Sequence, residues 1–156
     1  LAAEDFKPVE VFRVENMQGD RIRCDFLPVA CQHCASPACA EVCPRDALVW
    51  TDEGLIAVVE DRCVGCGLCF RKCPYGAIGL KIVDGKRKAV KCDLCMDRRQ
   101  RGFLPACEQH CLGGAFTSCT ESEKAALLEP YPYRWGIGCV TYVSRVRSDL
   151  GKAFEG

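Results

Sequence analysis

The cysteines constrain the fold of this chain more than any other feature of its sequence. Of the 156 residues, 15 are cysteine, and twelve of these fall into three quartets with short internal spacings. The quartets are Cys31, Cys34, Cys39 and Cys43; Cys63, Cys66, Cys69 and Cys73; and Cys92, Cys95, Cys107 and Cys111. Large aliphatic residues are spread thinly between these cysteine loops. Whatever the thiols bind must therefore replace part of the hydrophobic core.

The spacing within the quartets indicates iron–sulfur chemistry. The second quartet has the pattern C-x2-C-x2-C-x3-C followed by Pro74, the run that holds a [4Fe–4S] cluster in bacterial ferredoxins. The first quartet is a variant with a longer middle gap, and it too ends in a proline, Pro44. Gly65 and Gly67 allow the backbone to approach a cluster closely. We predict a [4Fe–4S] cluster for each of the three quartets.

The fourth cysteine of each run is expected to leave its own loop. It lies near a short helix, and in two-cluster ferredoxins it ligates the other cluster. Applied to this chain, that pattern predicts two ligand sets. One cluster is held by Cys31, Cys34, Cys39 and Cys73, and the second by Cys63, Cys66, Cys69 and Cys43.

Structural zinc, disulfide bonds and plain packing are the alternatives for these cysteines. Zinc sites use C-x2-C pairs separated by a spacer, a form that only the third quartet approaches. Disulfide-rich secreted domains are short and usually have an even cysteine count, and this sequence shows no apolar signal segment at its start. We expect a cytoplasmic protein. The leftover residues Cys24, Cys119 and Cys139 are expected to be small core residues.

The charge of the chain changes once clusters are counted. The formal net charge is zero, and three clusters with their thiolates would add about −6. Seven basic residues could offset this charge, form a solvated face or dock an acidic partner: Arg71, Lys72, Lys81, Lys86, Arg87, Lys88 and Lys91. No stretch is long enough for a membrane span, and the aromatic residues do not alternate with the basic ones. We expect no membrane span and no nucleic-acid partner.

The sequence predicts an α+β, ferredoxin-like fold of short helices and β-hairpins. Residues 31–80 repeat one motif twice, a cysteine loop followed by a short helix and a strand, which predicts a pseudo-two-fold pair of cluster sites. Alternating apolar residues predict strands at 9–14 and 22–29, and Asp84-Gly85 predicts a hairpin turn. Residues 93–101 are helix-like. The capping box Thr120-x-x-Glu123 predicts a helix through Leu128.

We predict three parts in the chain. Residues 29–83 form a two-cluster, bacterial ferredoxin-like unit. Residues 1–28 and 84–130 form a partial ferredoxin-like unit that carries the third cluster. Residues 131–156 form a tail whose aromatic and arginine residues suit a partner contact; the aromatic residues are Tyr131, Tyr133, Trp135 and Tyr142.

Together the quartets resemble the polyferredoxin subunits of molybdenum- and tungsten-pterin oxidoreductases. The resemblance runs from Val9 to Phe116 and rests on CQHC…PAC…CP at 31–44, C…CPYGAI at 63–78 and KCDLC…PAC…C at 91–111. It implies an electron-transfer subunit of anaerobic metabolism with no catalytic site of its own. Such a subunit relays electrons between a pterin-containing catalytic subunit and a second redox partner. The tungsten aldehyde oxidoreductase or class II benzoyl-CoA reductase type is favoured; the dimethyl sulfoxide reductase or formate dehydrogenase type is the alternative.

The chain departs from this family pattern around its third quartet. Members usually carry four quartets, of which the earliest is absent from this sequence, and Leu112 stands where the family has a proline. In the four-cluster pattern Cys111 would serve the missing cluster. The fourth ligand of the third cluster is therefore open between Cys111, Cys24, Cys119 and Cys139.

The expected cofactors are three [4Fe–4S] clusters, with a fourth if the N-terminus is incomplete. Two other kinds of protein are kept as alternatives. One is a catalytic or sensory iron–sulfur protein whose third cluster has an open iron site. The other is a zinc-binding interaction module.

Overall fold

Four two-stranded antiparallel hairpins and five short helices make up the part of the chain that the computed structural model describes, residues 6–145. The predicted combination of short helices and small hairpins is confirmed. The chain divides into two units between Asp93 and Leu94. The predicted pseudo-two-fold relation and the predicted three-part division concern where the clusters bind. The two compact units do not test them, and both stay predictions.

The first unit opens with a long hairpin. Strands β1 (Val9–Gln18) and β2 (Arg21–Ala30) pair along their whole length. The turn falls at Gly19, whose φ of +62° favours glycine. Both strands extend beyond the predicted segments, because backbone pairing continues through polar residues such as Asn16, which lies opposite Arg23.

The rest of the first unit repeats a cysteine loop, a short helix and a hairpin strand. In each quartet one short helix carries the third cysteine, Cys39 or Cys69, and a hairpin follows the fourth. The strands of that hairpin have three residues after the first quartet and six after the second. The elements are α1 (Ala38–Glu41), β3 (Leu48–Trp50), β4 (Ile56–Val58), α2 (Leu68–Lys72), β5 (Ile78–Val83) and β6 (Lys86–Lys91). The hairpin turn at Asp84-Gly85 is where the sequence predicts it.

A small core lies between these repeated elements. Its largest side chains, Ile56 and Ile78, are each 1% exposed, and burial of each contributes about 1.5–3 kcal/mol. The other members are Ala47, Leu48, Cys63, Cys69 and Ala89. Because two of the seven core residues are cysteines, the core and the cysteine loops form one packed structure.

The second unit is built from three helices and one hairpin. They are α3 (Met96–Gln100), α4 (Ala106–Gln109), α5 (Glu121–Leu128), β7 (Tyr133–Ile137) and β8 (Val140–Ser144). Helix α3 begins later than predicted because Leu94 and Cys95 have φ of +53° and +52°, outside the helical region. The predicted capping box is confirmed: the Thr120 N–H donates to Glu123 Oε2 at 2.8 Å.

The hairpin β7–β8 covers part of the predicted tail. Trp135 lies opposite Tyr142, and their rings stack with centroids 5.9 Å apart. Tyr142 is buried, so these two aromatic residues pack against each other. Residues 146–156 of the predicted tail lie outside the described part, and its role as a partner contact stays a prediction. Within residues 6–145, no helix has the length and apolar character needed to cross a membrane.

Candidate metal centres

Eight of the predicted ligands surround two separate cavities of the first unit. We call the one lined by Cys31, Cys34, Cys39 and Cys73 the first cavity. The second cavity is lined by Cys43, Cys63, Cys66 and Cys69. Each cavity thus takes three cysteines from one quartet and its fourth from the other. The assignment of ligands to clusters stays a prediction, and this arrangement supports it.

A left-handed residue shapes the C-x2-C loop at each cavity. It is His33 (φ +43°) at the first cavity and Gly65 (φ +66°) at the second. A Cβ on Gly65 would lie 2.1 Å from the carbonyl oxygen of Arg87, so glycine is required there. His33 is only 3% exposed, and its Nδ1 accepts the backbone N–H of Ile56 at 3.0 Å. This bond ties the first loop to strand β4 and holds the strained residue in place.

Backbone N–H groups donate to the cysteine sulfurs. The Cys43 and Cys73 Sγ atoms accept from the residues four positions later, Ala47 at 3.3 Å and Ala77 at 3.4 Å. The Cys63 Sγ accepts from Ala89 at 3.3 Å. Such bonds stabilise thiolates and are one of the means by which proteins tune iron–sulfur clusters.

Burial works against ionised thiols in both cavities. Burial, together with the neighbouring Cys31 and Cys73, raises the pKa of Cys39 to about 11. Burial also raises the pKa of Cys34 and of Cys69. At neutral pH these thiols are protonated in the absence of metal, so iron must displace their protons.

The donor set fits an iron–sulfur core. A cubane cluster gives each thiolate its own iron, so four cysteines can line a cavity without meeting at one point. Among the described residues, no three potential ligands gather as a single-ion site would require. Residues 6–145 contain all fifteen cysteines, and no disulfide joins any of them.

The third quartet is divided between the two units. Cys92 is buried just after β6 in the first unit, whereas Cys95, Cys107 and Cys111 belong to the second. The Cys95 Sγ accepts the Ala106 N–H at 3.5 Å. Burial raises the pKa of Cys107, and the nearby Cys95 adds to that effect. The third cluster stays a prediction.

Cys111 lies in a turn like those of Cys43 and Cys73. Its Sγ accepts the Ala115 N–H at 3.3 Å, again four residues later. The third residue after the cysteine has positive φ in all three turns: Asp46 (+47°), Gly76 (+60°) and Gly114 (+58°). The turn therefore forms without the proline that Leu112 replaces. Backbone N–H groups, that of Ala115 above all, lower the pKa of Cys111.

The leftover cysteines are not core residues. Cys24 on β2, Cys119 before α5 and Cys139 in the β7–β8 turn are all exposed. The expectation that they pack in the core is wrong, because the two hairpins and the segment before α5 that carry them are open to solvent at these positions. They remain open as alternative ligands.

Three of the basic residues bind the cysteine loops. Arg87 Nε donates to Gly65 O at 2.6 Å, and Lys88 Nζ donates to Cys63 O at 2.7 Å and Glu60 O at 2.6 Å. Lys91 Nζ donates to Ile56 O and, at 2.8 Å, to Cys92 O. These bonds hold the three side chains at neighbouring backbone carbonyls of the first unit. The sequence could not show this, since the carbonyls they reach, apart from that of Cys92, are 22 to 35 residues away.

Known proteins are similar to this chain in sequence. Residues 22–121 match the family described as the 4Fe-4S dicluster domain. A tetrathionate reductase subunit of Salmonella typhimurium is 36% identical over 108 residues, which cover 69% of this chain and 42% of that protein. A component of the anaerobic dimethyl sulfoxide reductase of Escherichia coli is 41% identical over 86 residues, 55% of this chain and 41% of that protein.

A third relative is similar to this chain over a comparable length. A tetrathionate reductase subunit of Archaeoglobus fulgidus is 44% identical over 101 residues, 62% of this chain and 46% of that protein. The chain therefore spans less than half the length of the curated relatives it matches. The resemblance inferred from the cysteine motifs is confirmed by these matches.

Proposed function

We propose that this chain, which belongs to the 4Fe-4S dicluster domain family, is an electron-transfer subunit of an oxidoreductase complex. It relays electrons through several [4Fe–4S] clusters between a pterin-containing catalytic subunit and a second redox partner. One observation carries the proposal: each of two cavities in one unit is lined by four cysteines, three from one loop and one from another.

When bound, each cluster supplies a one-electron redox centre. The residues of the chain hold and tune it. Cysteine thiolates bind the irons, and backbone N–H groups such as that of Ala89 bond to sulfur. Ile56 and Ile78, which line the first cavity, keep water from that side of it. Low water access and hydrogen bonds to sulfur are two of the means by which proteins set cluster potentials.

The catalytic partner is proposed to be a molybdenum- or tungsten-pterin subunit. The relatives are named as components of tetrathionate and dimethyl sulfoxide reductases, which supports a catalytic partner and the dimethyl sulfoxide reductase type. The tungsten aldehyde oxidoreductase or benzoyl-CoA reductase type is the second candidate. This chain would carry no substrate chemistry itself. Three clusters, including that of the third quartet, and a cytoplasmic location complete the proposal.

A mixing experiment tests the proposal. The chain, reconstituted with iron and sulfide, is combined anaerobically with the catalytic subunit that co-purifies with it from its native source. Substrate should bleach the visible absorbance of the clusters only when that subunit is present. The isolated chain should accept electrons from dithionite but turn over no substrate. Bleaching by substrate with the chain alone would make it an enzyme, and no bleaching in the complex would remove the proposed relay.

A further inference from the structure

Strand β6 fixes a lysine ammonium beside the first cavity. Lys91 Nζ donates to the carbonyl oxygens of Ile56 and Cys92. Ile56 lines the first cavity, and so does Ile78, the residue opposite Lys91 in the β5–β6 ladder. The ammonium group therefore lies against Ile56 of the cavity wall, and the backbone of Lys91 pairs with that of Ile78.

This position is unusual for a lysine. Lysine side chains mostly extend into solvent, and fixing one loses up to about 2 kcal/mol of rotamer entropy. Lys91 is half-buried and bound at two carbonyls. The same strand offers contrasts, since Lys86 is exposed and Lys88 binds the loop of the second cavity instead.

A fixed positive charge has a different effect on the two redox states of a cluster. Reduction adds one electron, supplied by the redox partner, and takes the cluster with its thiolates from about −2 to about −3. No proton moves and no bond is made or broken. A nearby ammonium stabilises the more negative state more strongly, and burial weakens the screening of this attraction.

We propose that Lys91 is an electrostatic tuning residue that raises the reduction potential of the cluster bound by Cys31, Cys34, Cys39 and Cys73. The inference rests on the proposed function, because it requires a cluster in the first cavity. The charge of Lys91 lies within electrostatic range of Cys34 and Cys39, two of the cysteines that line this cavity.

An EPR-monitored redox titration of the reconstituted chain tests the inference. Cys34→Ser changes the signal of the first-cavity cluster and so identifies its redox wave. Lys91→Met keeps the length of the side chain and removes its charge. At a fixed potential, the ratio of reduced to oxidised first cluster should fall on the order of tenfold, which is about 59 mV for a one-electron couple. The wave of the second-cavity cluster should not move.

Three variants serve as controls. Lys91→Arg keeps the charge and should keep the potential. Lys86→Met removes a charge from the exposed start of the same strand and should leave both waves in place. Lys88→Met removes a loop-binding lysine at the other cavity and should leave the first wave in place.

Several results would overturn the inference. These are an unmoved first wave in Lys91→Met, an equal shift in Lys86→Met, or equal shifts of both waves. Lys91→Gln, which is neutral but keeps a donor, provides a second test if Lys91→Met does not fold. If neither neutral variant holds the first cluster while Lys91→Arg does, Lys91 is a structural clamp and not a tuning residue. A wild-type chain that takes up no iron would reject the proposed function itself, and this inference with it.

Discussion

The two units surround their cysteines with different environments. In the first unit, both cavities adjoin a core whose isoleucines, Ile56 and Ile78, are 1% exposed. In the second unit, Leu112 next to Cys111 is fully exposed and Phe103 is 54% exposed. Pro105 and Tyr142 are the buried residues among the side chains described there. The first unit therefore has an apolar core of its own, whereas the second depends more on local hydrogen bonds.

One thiol reflects this difference. Burial raises the pKa of Cys39 to about 11, and it also raises the pKa of Cys107, the corresponding cysteine of the second unit. At Cys111 the backbone N–H groups outweigh burial and lower the pKa. The turns of Cys43 and Cys73 donate to sulfur in the same way, so the two units share this turn and differ in the apolar core around it.

Removal of iron should have the largest effect of the changes considered. It should destabilise both units and show which of them is the less stable. Because each cysteine loop has little apolar core of its own, we expect chelation to abolish the cooperative thermal transition measured by circular dichroism. Limited proteolysis should cut residues 94–145 before residues 6–93, since the second unit has fewer buried side chains. A cooperative transition that survives in the iron-free chain would contradict the expectation.

Loss of a fourth cysteine, which is predicted to ligate the cluster of the other quartet, should remove one cluster of the first unit. In Cys73→Ala we expect about four of roughly twelve irons to be lost, because Cys73 lines the first cavity with Cys31, Cys34 and Cys39. Iron analysis and EPR measure this loss, and Cys73→Ser, which keeps a donor atom, should retain more iron. A change confined to the cluster of Cys63, Cys66 and Cys69 would refute the exchange.

Gly65→Ala should destabilise the first unit by about 2–4 kcal/mol, from a left-handed φ and a backbone clash together. The added Cβ would meet the Arg87 carbonyl oxygen at 2.1 Å. Denaturant unfolding of the iron-loaded chain measures the loss. Gly85→Ala is the matched control, because Gly85 has φ of +71° but open space around its Cβ position. Equal losses in both variants would show that the clash has no effect.

Leu94→Gly, in the corresponding loop of the third quartet, should stabilise the protein, whereas Gly65→Ala destabilises it. Leu94 has φ of +53° at the position that Gly65 occupies in the second loop. Relief of this strain is partly offset by the greater freedom of glycine in the unfolded chain. We therefore expect the free energy of unfolding to rise by about 0.5 kcal/mol. Leu94→Ala keeps the strain and should give no gain. A loss above about 1 kcal/mol in Leu94→Gly would show that the leucine side chain matters more than its backbone.

The smallest effect is expected at the cap of α5. Hydrogen bonds from Thr120 lower the pKa of Glu123, so the folded state favours the carboxylate. The cap therefore stabilises the helix above the unfolded pKa of about 4.3, and this contribution is lost as pH falls through the lower folded pKa. Amide exchange in α5 should become faster over that range in the native protein, whereas Glu123→Gln should show no such change. The same acid dependence in both would contradict the assignment.

Local signals in the sequence predicted much of the fold. The Thr120 capping box and the Asp84-Gly85 turn act over a few residues, and both are found as predicted. Helix α4 and the hairpin β7–β8 were not predicted: α4 has four residues and β7–β8 has strands of five. Elements this short have weak periodicity, so their packing decides their structure.

The cysteines that line the two cavities could be grouped from the sequence, but their surroundings could not. Spacing groups the three thiols of each loop, since short loops limit where a thiol can reach, and the two-cluster ferredoxin pattern adds Cys73 to the first group and Cys43 to the second. The buried His33 and the bond from Lys91 to Ile56 join residues far apart in sequence. A left-handed histidine or leucine in a C-x2-C loop also has no sequence signal, because glycine is the usual residue there.

The bonds of strand β6 bear on when clusters are inserted during synthesis of the chain. All eight cysteines of the two cavities precede Lys86–Lys91 in the chain. That strand bonds to the Cys63 sulfur and to the carbonyls of Gly65 and Ile56. A nascent chain whose strand is still inside the ribosome presents all the thiols of both cavities, but neither cavity is yet closed. We therefore expect both clusters to be inserted together, after the strand has left the exit tunnel.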